Sequence, residues 1–408
     1  MKKGLEALFI FLLIPVAFNF FGANFLDATV VRNVNLIFCS VAILLSLRFA
    51  FVRGDGFELP VQLICLSIIC STGMAYLGWA QGFSDTLKAT IPLLLWIFFF
   101  WLLYIKIPVN ILEAIVLTYT FIYIVLYLFQ FFNPGTLFFG EKQQWADWYY
   151  DRGIFRIIFP GGGIFFLGVF IAINKFTAQR KNWFIWLFFL VAGLIIPVMQ
   201  ATRTYIAGVI LIYLYHFLRN QRIAVKLSII AGVAGLFFLV TQLNIPVIKG
   251  LMQAQEETKK EGLQNQRIVT ATYFITDFSP NAFCRIMGNG APADQSQYGK
   301  QLANLKTQDI LLGDVGIIGM FTMFGILSVA GYLLIWIKSF MLPLPKNYVY
   351  PKYYLWFLLV TSLTYDAVYG IYFLIATVFA LYIFQVAHIY EKTIRNNQDL
   401  PAPVAADA

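Results

Sequence analysis

The stretch VNILEAIVLTYTFIYIVLYLFQFF runs from Val109 to Phe132 and holds one charged residue, Glu113, near its start. A bilayer core is roughly 30 Å thick and a helix rises about 1.5 Å per residue, so about 20 apolar residues cross it. This run meets that length, and similar runs flank it on both sides. Upstream are Leu5–Phe21, Val34–Phe51, Leu59–Gly78 and Thr90–Ile107. Downstream are Ile157–Asn174, Trp183–Met199, Tyr205–Leu218, Ala224–Leu243, Val315–Ile337, Lys352–Leu363 and Gly370–His388. The expected fold is an all-α polytopic integral membrane protein with about twelve transmembrane helices.

Composition points the same way. Hydrophobic residues make up 60% of the 408 and charged residues 12%, with a mean hydropathy of +0.75. A soluble domain carries about a quarter charged residues, so a water-soluble enzyme is excluded. The 42 Phe, 22 Tyr and 9 Trp exclude a disordered chain. The net charge of +9 reads as loop asymmetry across a bilayer, with no nucleic-acid partner implied. Cys39, Cys65 and Cys70 lie in apolar runs and Cys284 stands alone, so no disulfide framework follows.

Sidedness is read from Lys and Arg. With an even number of crossings, a cytoplasmic N-terminus gathers most basic residues inside, in short segments such as Lys175–Lys181 and Arg219–Lys226. Both termini are then expected in the cytoplasm. Residues 1–396 form a single multi-pass domain. On its extracytoplasmic side are expected an aromatic loop over 133–156 and a large loop over 245–313, between the ninth and tenth helices. Residues 397–408 read as a disordered tail.

The chemistry available is narrow. His216 and His388 both fall at inner helix ends, and no metalloprotease, dithiol, nucleophile-elbow or phosphate-loop pattern occurs. No metal and no cofactor are expected. The outer face offers arginine instead. Arg203 sits in Gln200-Ala201-Thr202-Arg203-Thr204-Tyr205, a tight turn between two apolar runs. Arg152 and Arg156 precede another run, and Arg267 stands in the large loop. Guanidinium is permanently charged and grips phosphate oxygens in a bidentate fork. A lone arginine at a helix end is more often a snorkelling residue, but the turn at Arg203 is too short to reach open water. Trp148, with its aromatic neighbours, can stack on a sugar ring, although an interfacial aromatic belt is the commoner role.

These residues carry a resemblance. Ala201-Thr202-Arg203-Thr204 resembles the Ser-Arg-Thr-like helix start of O-antigen and exopolysaccharide polymerases (Wzy type) and O-antigen ligases. The large outer loop is similar too, with Gly288-Asn289-Gly290, Ser296-Gln297-Tyr298-Gly299 and Gly313-Asp314-Val315-Gly316 in that order. The ligases of that superfamily carry a loop histidine where this chain reads Gln297-Tyr298-Gly299-Lys300-Gln301. That departure favours a polymerase.

The resemblance implies a metal-independent glycosyltransferase of the bacterial inner membrane. Its substrate is a glycan on undecaprenyl diphosphate, and its product is O-antigen, capsule or exopolysaccharide. Arg203 and Arg156 are expected to stabilise the leaving diphosphate. Asp314 is the candidate base, with an N-cap as its plainer role. Arg152, Arg267, Asn289, Tyr298 and Trp148 are expected to bind substrate. Membrane lipids, a chain-length regulator and a flippase are the expected partners. The competing readings are a ligase with a core-lipid acceptor and, in another class, a polysaccharide flippase or transporter.

Overall fold

The computed structural model describes residues 2–141, 156–178, 182–219, 221–242 and 265–398, and between the last two 249, 250, 252, 253, 255, 256, 260 and 262. The regular elements among them are helical. Helices α1 (Lys2–Ala17), α2 (Ala28–Leu47), α3 (Glu58–Trp79), α4 (Phe83–Ile105) and α5 (Val109–Phe132) come first. They are followed by α6 (Gly162–Ala178), α7 (Trp183–Met199), α8 (Arg203–Leu218) and α9 (Ile223–Gln242). Three short helices, α10 (Gln266–Thr276), α11 (Ala282–Met287) and α12 (Gln297–Lys306), occupy the large polar segment. The chain closes with α13 (Ile317–Phe324), α14 (Ile326–Met341), α15 (Tyr350–Thr361) and α16 (Ile371–Gln398).

The expectation of about twelve transmembrane helices is corrected. Among the described residues, 5 helices are long and apolar enough to cross a membrane: α2, α3, α4, α5 and Ile371–Ile394 of α16. Several of the other apolar runs form shorter helices. Helices α6 and α7 have 17 residues each, and α8 and α14 have 16. At about 1.5 Å per residue these lengths fall short of the roughly 30 Å core. The expected run Val315–Ile337 is broken at Gly325, whose φ of 79° ends α13 and restarts the chain as α14. Apolar sequence here often means burial inside the bundle, and α6 is buried without interruption from Gly162 to Asn174. The placement of both termini in the cytoplasm assumed an even count, so it falls with that count. The numbering of the large segment as lying between a ninth and a tenth span falls too.

Helix α6 forms the centre, touched by α5, α7, α15 and α16. Close approach requires its glycines: a Cβ on Gly163 would stand 2.7 Å from the Phe373 Cα. On the other flank α3 packs along α14, where the Ser67 hydroxyl accepts the Ser328 amide at 3.0 Å and donates to the Phe324 carbonyl.

The bundle has two unlike ends. One holds cations on aromatic and carbonyl partners: Arg48 lies 4.4 Å from the Phe49 ring, and Lys338 donates to the Asp55 carbonyl at 2.7 Å. It also holds Lys175 paired to Glu113 at 2.8 Å, with the Tyr350 hydroxyl donating to the same carboxylate at 2.7 Å. The other end is where α5 and α7 finish and α6, α8 and α16 begin. Onto it folds the segment that carries α10 to α12. Trp79, at the end of α3, stacks on Tyr298 at 4.8 Å and donates to the Asn289 side chain at 2.8 Å. The Asn289 and Gly290 amides bond the Thr322 and Met323 carbonyls at 2.9 and 2.7 Å. Part of the large polar segment is thus clamped to the bundle.

Candidate functional site

At this second end the turn from α7 to α8 is made by Ala201 with φ 51°, a left-handed conformation that costs a non-glycine residue roughly 1–2 kcal/mol. The turn brings Gln200, Thr202 and Tyr205 to one wall of a cavity of about 50 Å³. Arg156 lines it from the strand-like approach to α6, and Tyr365 and Tyr372 close it from the α15–α16 connection and the first turn of α16. The Gln200 amide nitrogen donates to the Tyr123 hydroxyl at 2.8 Å, while its Oε1 is buried with no hydrogen-bond partner among the described residues. Tyr205 and Tyr365 meet edge to face at 4.9 Å. The Arg156 charge acts on the hydroxyls of both Tyr127 and Tyr365.

Carboxylates gather behind this wall. Tyr372 donates to Glu141. Asp366 lies in a short 3-10 turn, Asp366–Val368, between α15 and α16. Burial pushes its carboxyl up to about 7, and the negative charges of Glu141 and Asp314 push the same way. The group therefore changes charge near neutrality. Burial, and then the Asp366 charge beside it, also raise the Tyr365 hydroxyl.

A second cavity of about 530 Å³ adjoins the first through the same connection. Leu363 and Thr364 line it, and the next residue, Tyr365, lines the first cavity. Arg267, Asn265 and Asp314 face it as well. The Thr364 hydroxyl is buried with no hydrogen-bond partner among the described residues. Asp314 does not cap the following helix: it sits inside a 3-10 turn, Leu312–Val315, and Gly316 occupies the cap of α13. The capping role considered for it is corrected.

The sites read from sequence thus separate into groups. Arg156 lines the first cavity; Arg267 and Asp314 line the second. Arg203 opens α8 beside Thr202, is half-buried, and donates from Nη1 to the Gln255 side chain at 3.2 Å. Asn289 and Tyr298, expected to bind substrate, are fully buried in the joint around Trp79. Asn289 spends its amide on Ser279, Thr322 and Trp79, and the Tyr298 hydroxyl donates to the Gly290 carbonyl at 3.0 Å. Their contacts are those of structural residues. Arg152 and Trp148 lie outside the described residues, as does the tail after residue 398.

Residues that sequence reasoning passed over complete the site: Glu141, Gln200, Tyr365, Asp366 and Tyr372. Asp366 carried a usable signal, an acid between two apolar runs, where an ionisable group is costly unless it works. Among the described residues, no group of three His, Cys, Asp or Glu side chains is placed to hold a metal ion. Together the site offers guanidinium, amide and hydroxyl groups for an anion, and a carboxyl that exchanges its proton near pH 7. No family model matches the chain, and no curated protein is similar to it.

Proposed function

We propose that the chain polymerises oligosaccharide repeat units carried on undecaprenyl diphosphate, at the outer face of the bacterial inner membrane. The observation that carries this reading is Arg156 lining a cavity whose wall residue Tyr365 feels both its charge and those of Asp366 and Glu141, at an end of a membrane-associated helical bundle. Cation and carboxylates at one site suit a reaction that releases an anion and removes a proton.

In this reaction the hydroxyl oxygen of one lipid-linked unit attacks the anomeric carbon of another. The bond from that carbon to the diphosphate oxygen breaks, and the polyprenyl diphosphate leaves with the bonding pair. The acceptor proton passes to a carboxylate. Arg156 stabilises the charge growing on the diphosphate, and fixed donors in a water-poor site are most effective at that task. Arg203, at the N-terminus of α8, adds charge where the helix dipole already favours an anion. Asp366 follows Thr364 and Tyr365, which line the two cavities, and is assigned as the proton acceptor, its carboxyl being raised by burial and by the charges of Glu141 and Asp314. The second cavity, with Arg267, Asn265 and Asp314, holds the acceptor sugar. At about 50 Å³ the first cavity has room for only a water or two, so its aromatic wall must move to admit a diphosphate.

A ligase of the same chemistry differs in its acceptor, and the absence of histidine between Gln297 and Gln301 speaks for the polymerase. A strain lacking the gene separates the two. Loss of a polymerase leaves single repeat units attached to the surface acceptor. Loss of a ligase leaves unattached lipid-linked polymer, and that result would reject the proposal.

A further inference from the structure

A third cavity, of about 530 Å³, opens at the same end of the bundle between the starts of α2 and α4. Two cations line it, Arg32 from the first turns of α2 and Lys88 from those of α4. Both are exposed, and neither makes a hydrogen bond or ion pair among the described residues. The rest of the lining mixes apolar residues, Leu26, Val31, Leu36, Pro92 and Ile371, with the side chains of Asn19, Asn24 and Asn35. Both helices are long and apolar enough to cross a membrane, and the first turns of a crossing helix stand where hydrocarbon gives way to headgroups. Phe25, just before α2, and Phe83, at the start of α4, are 65% and 70% exposed, as interfacial aromatic side chains are. Its size falls within the range of small-molecule sites.

This cavity touches the site already described. Ile371 lines it, and Tyr372, the next residue, lines the first cavity. Asn19 also lines it, and its side chain acts on the hydroxyl of that same Tyr372. The two cavities therefore lie back to back across the first turn of α16.

We infer that this groove is a second binding site for a polyprenyl-diphosphate lipid, with Arg32 and Lys88 on the diphosphate and the start of the prenyl chain along its apolar residues. The inference rests on the polymerase reading, because donor and acceptor are both carried on such a lipid and the reaction needs two heads held at once. Two cations lining one groove suit a head of high charge, its asparagines can donate to the same oxygens, and its apolar residues suit the start of the tail.

The test is native mass spectrometry of the full chain in phosphatidylcholine nanodiscs doped with undecaprenyl diphosphate. The wild type should bind two such lipids per chain. Arg32→Ala with Lys88→Ala should weaken the second event at least about tenfold, the loss of one good charge contact, and leave the first intact. Arg156→Ala should do the reverse. Both cations of the groove are exposed, so their removal leaves the fold in place. Two lipids still bound to the double variant would overturn the inference. So would phosphatidylglycerol displacing the second lipid at equal concentration, since the groove would then read any anionic lipid. Failure here is separable from failure of the polymerase: a wild type that makes polymer while binding one lipid rejects the groove alone. One that binds two and makes none rejects the polymerase and keeps the groove.

Discussion

Glu113 and Asp366 are carboxylates held inside the bundle at its two opposite ends, and their surroundings carry opposite charge. Glu113 meets Lys175 at 2.8 Å and the Tyr350 hydroxyl at 2.7 Å, so its charge is neutralised in place. Asp366 stands within reach of two further acids, Glu141 and Asp314, which raise its carboxyl along with burial. A buried charge that is paired serves the fold. A half-buried acid kept among like charges costs stability, and such groups collect where a protonation state is put to use.

Mutations at the two ends should therefore fail in different ways. The largest effect belongs to Arg156→Ala, which should cut the rate of chain extension by about 10²–10³, the usual loss for one donor to a developing anion. The thermal midpoint of the purified variant should stay within a few degrees of the wild type. Arg203→Ala should lose less rate, because that side chain also spends a hydrogen bond on Gln255. At the other end, Lys175→Met should cost about 3 kcal/mol of stability by stranding Glu113. Extension per folded molecule should not change, and a loss of rate without a loss of stability there would erase the contrast.

Two smaller effects sharpen it. Asn289→Ala removes the acceptor of Trp79 and the donor to Thr322 and Ser279. It should lower stability by about 1–3 kcal/mol, the cost of buried groups left unpaired, and shift the rate little. A direct substrate role for Asn289 would show instead as a raised KM at unchanged stability. Asp366→Asn acts through pH. The folded chain holds the Asp366 proton more tightly than the unfolded chain, so it carries the extra proton between 3.8 and about 7. Stability due to this group falls as pH rises through that window, and the penalty is complete above it. Asp366→Asn should thus stabilise the protein at pH 8 relative to pH 5 in paired melts. It should also lose the rise in extension rate near pH 7 that a proton-accepting carboxylate confers. Partial openness of Asp366 to solvent makes the stability change the smallest of these.

How much of this could be read from residues differs between the helices and the site. The apolar runs marked helices well: Trp183–Met199 and Val109–Phe132 have the same ends in the structure. Run length did not distinguish a crossing from a buried helix, because α6 is as apolar as a span while being enclosed by other helices. Gly325 divided one expected span because a positive φ at its position is invisible to hydropathy. In the site, the arginines were legible as cations at apolar helix ends. Glu141, Asp314 and Asp366 were not legible as a group, since chain separations of this size are joined only by the fold. Asn289 and Tyr298 looked like loop polar residues open to substrate, and packing against Trp79 turned them into a joint.

The most direct test is reconstitution of the purified chain in nanodiscs with a synthetic undecaprenyl-diphosphate repeat unit. The products should form a ladder of chain lengths in the wild type, and Arg156→Ala at equal protein should leave the starting unit unextended. A wild type that makes no ladder, or a ladder of full length from Arg156→Ala, would contradict the assignment of this cavity to glycan transfer.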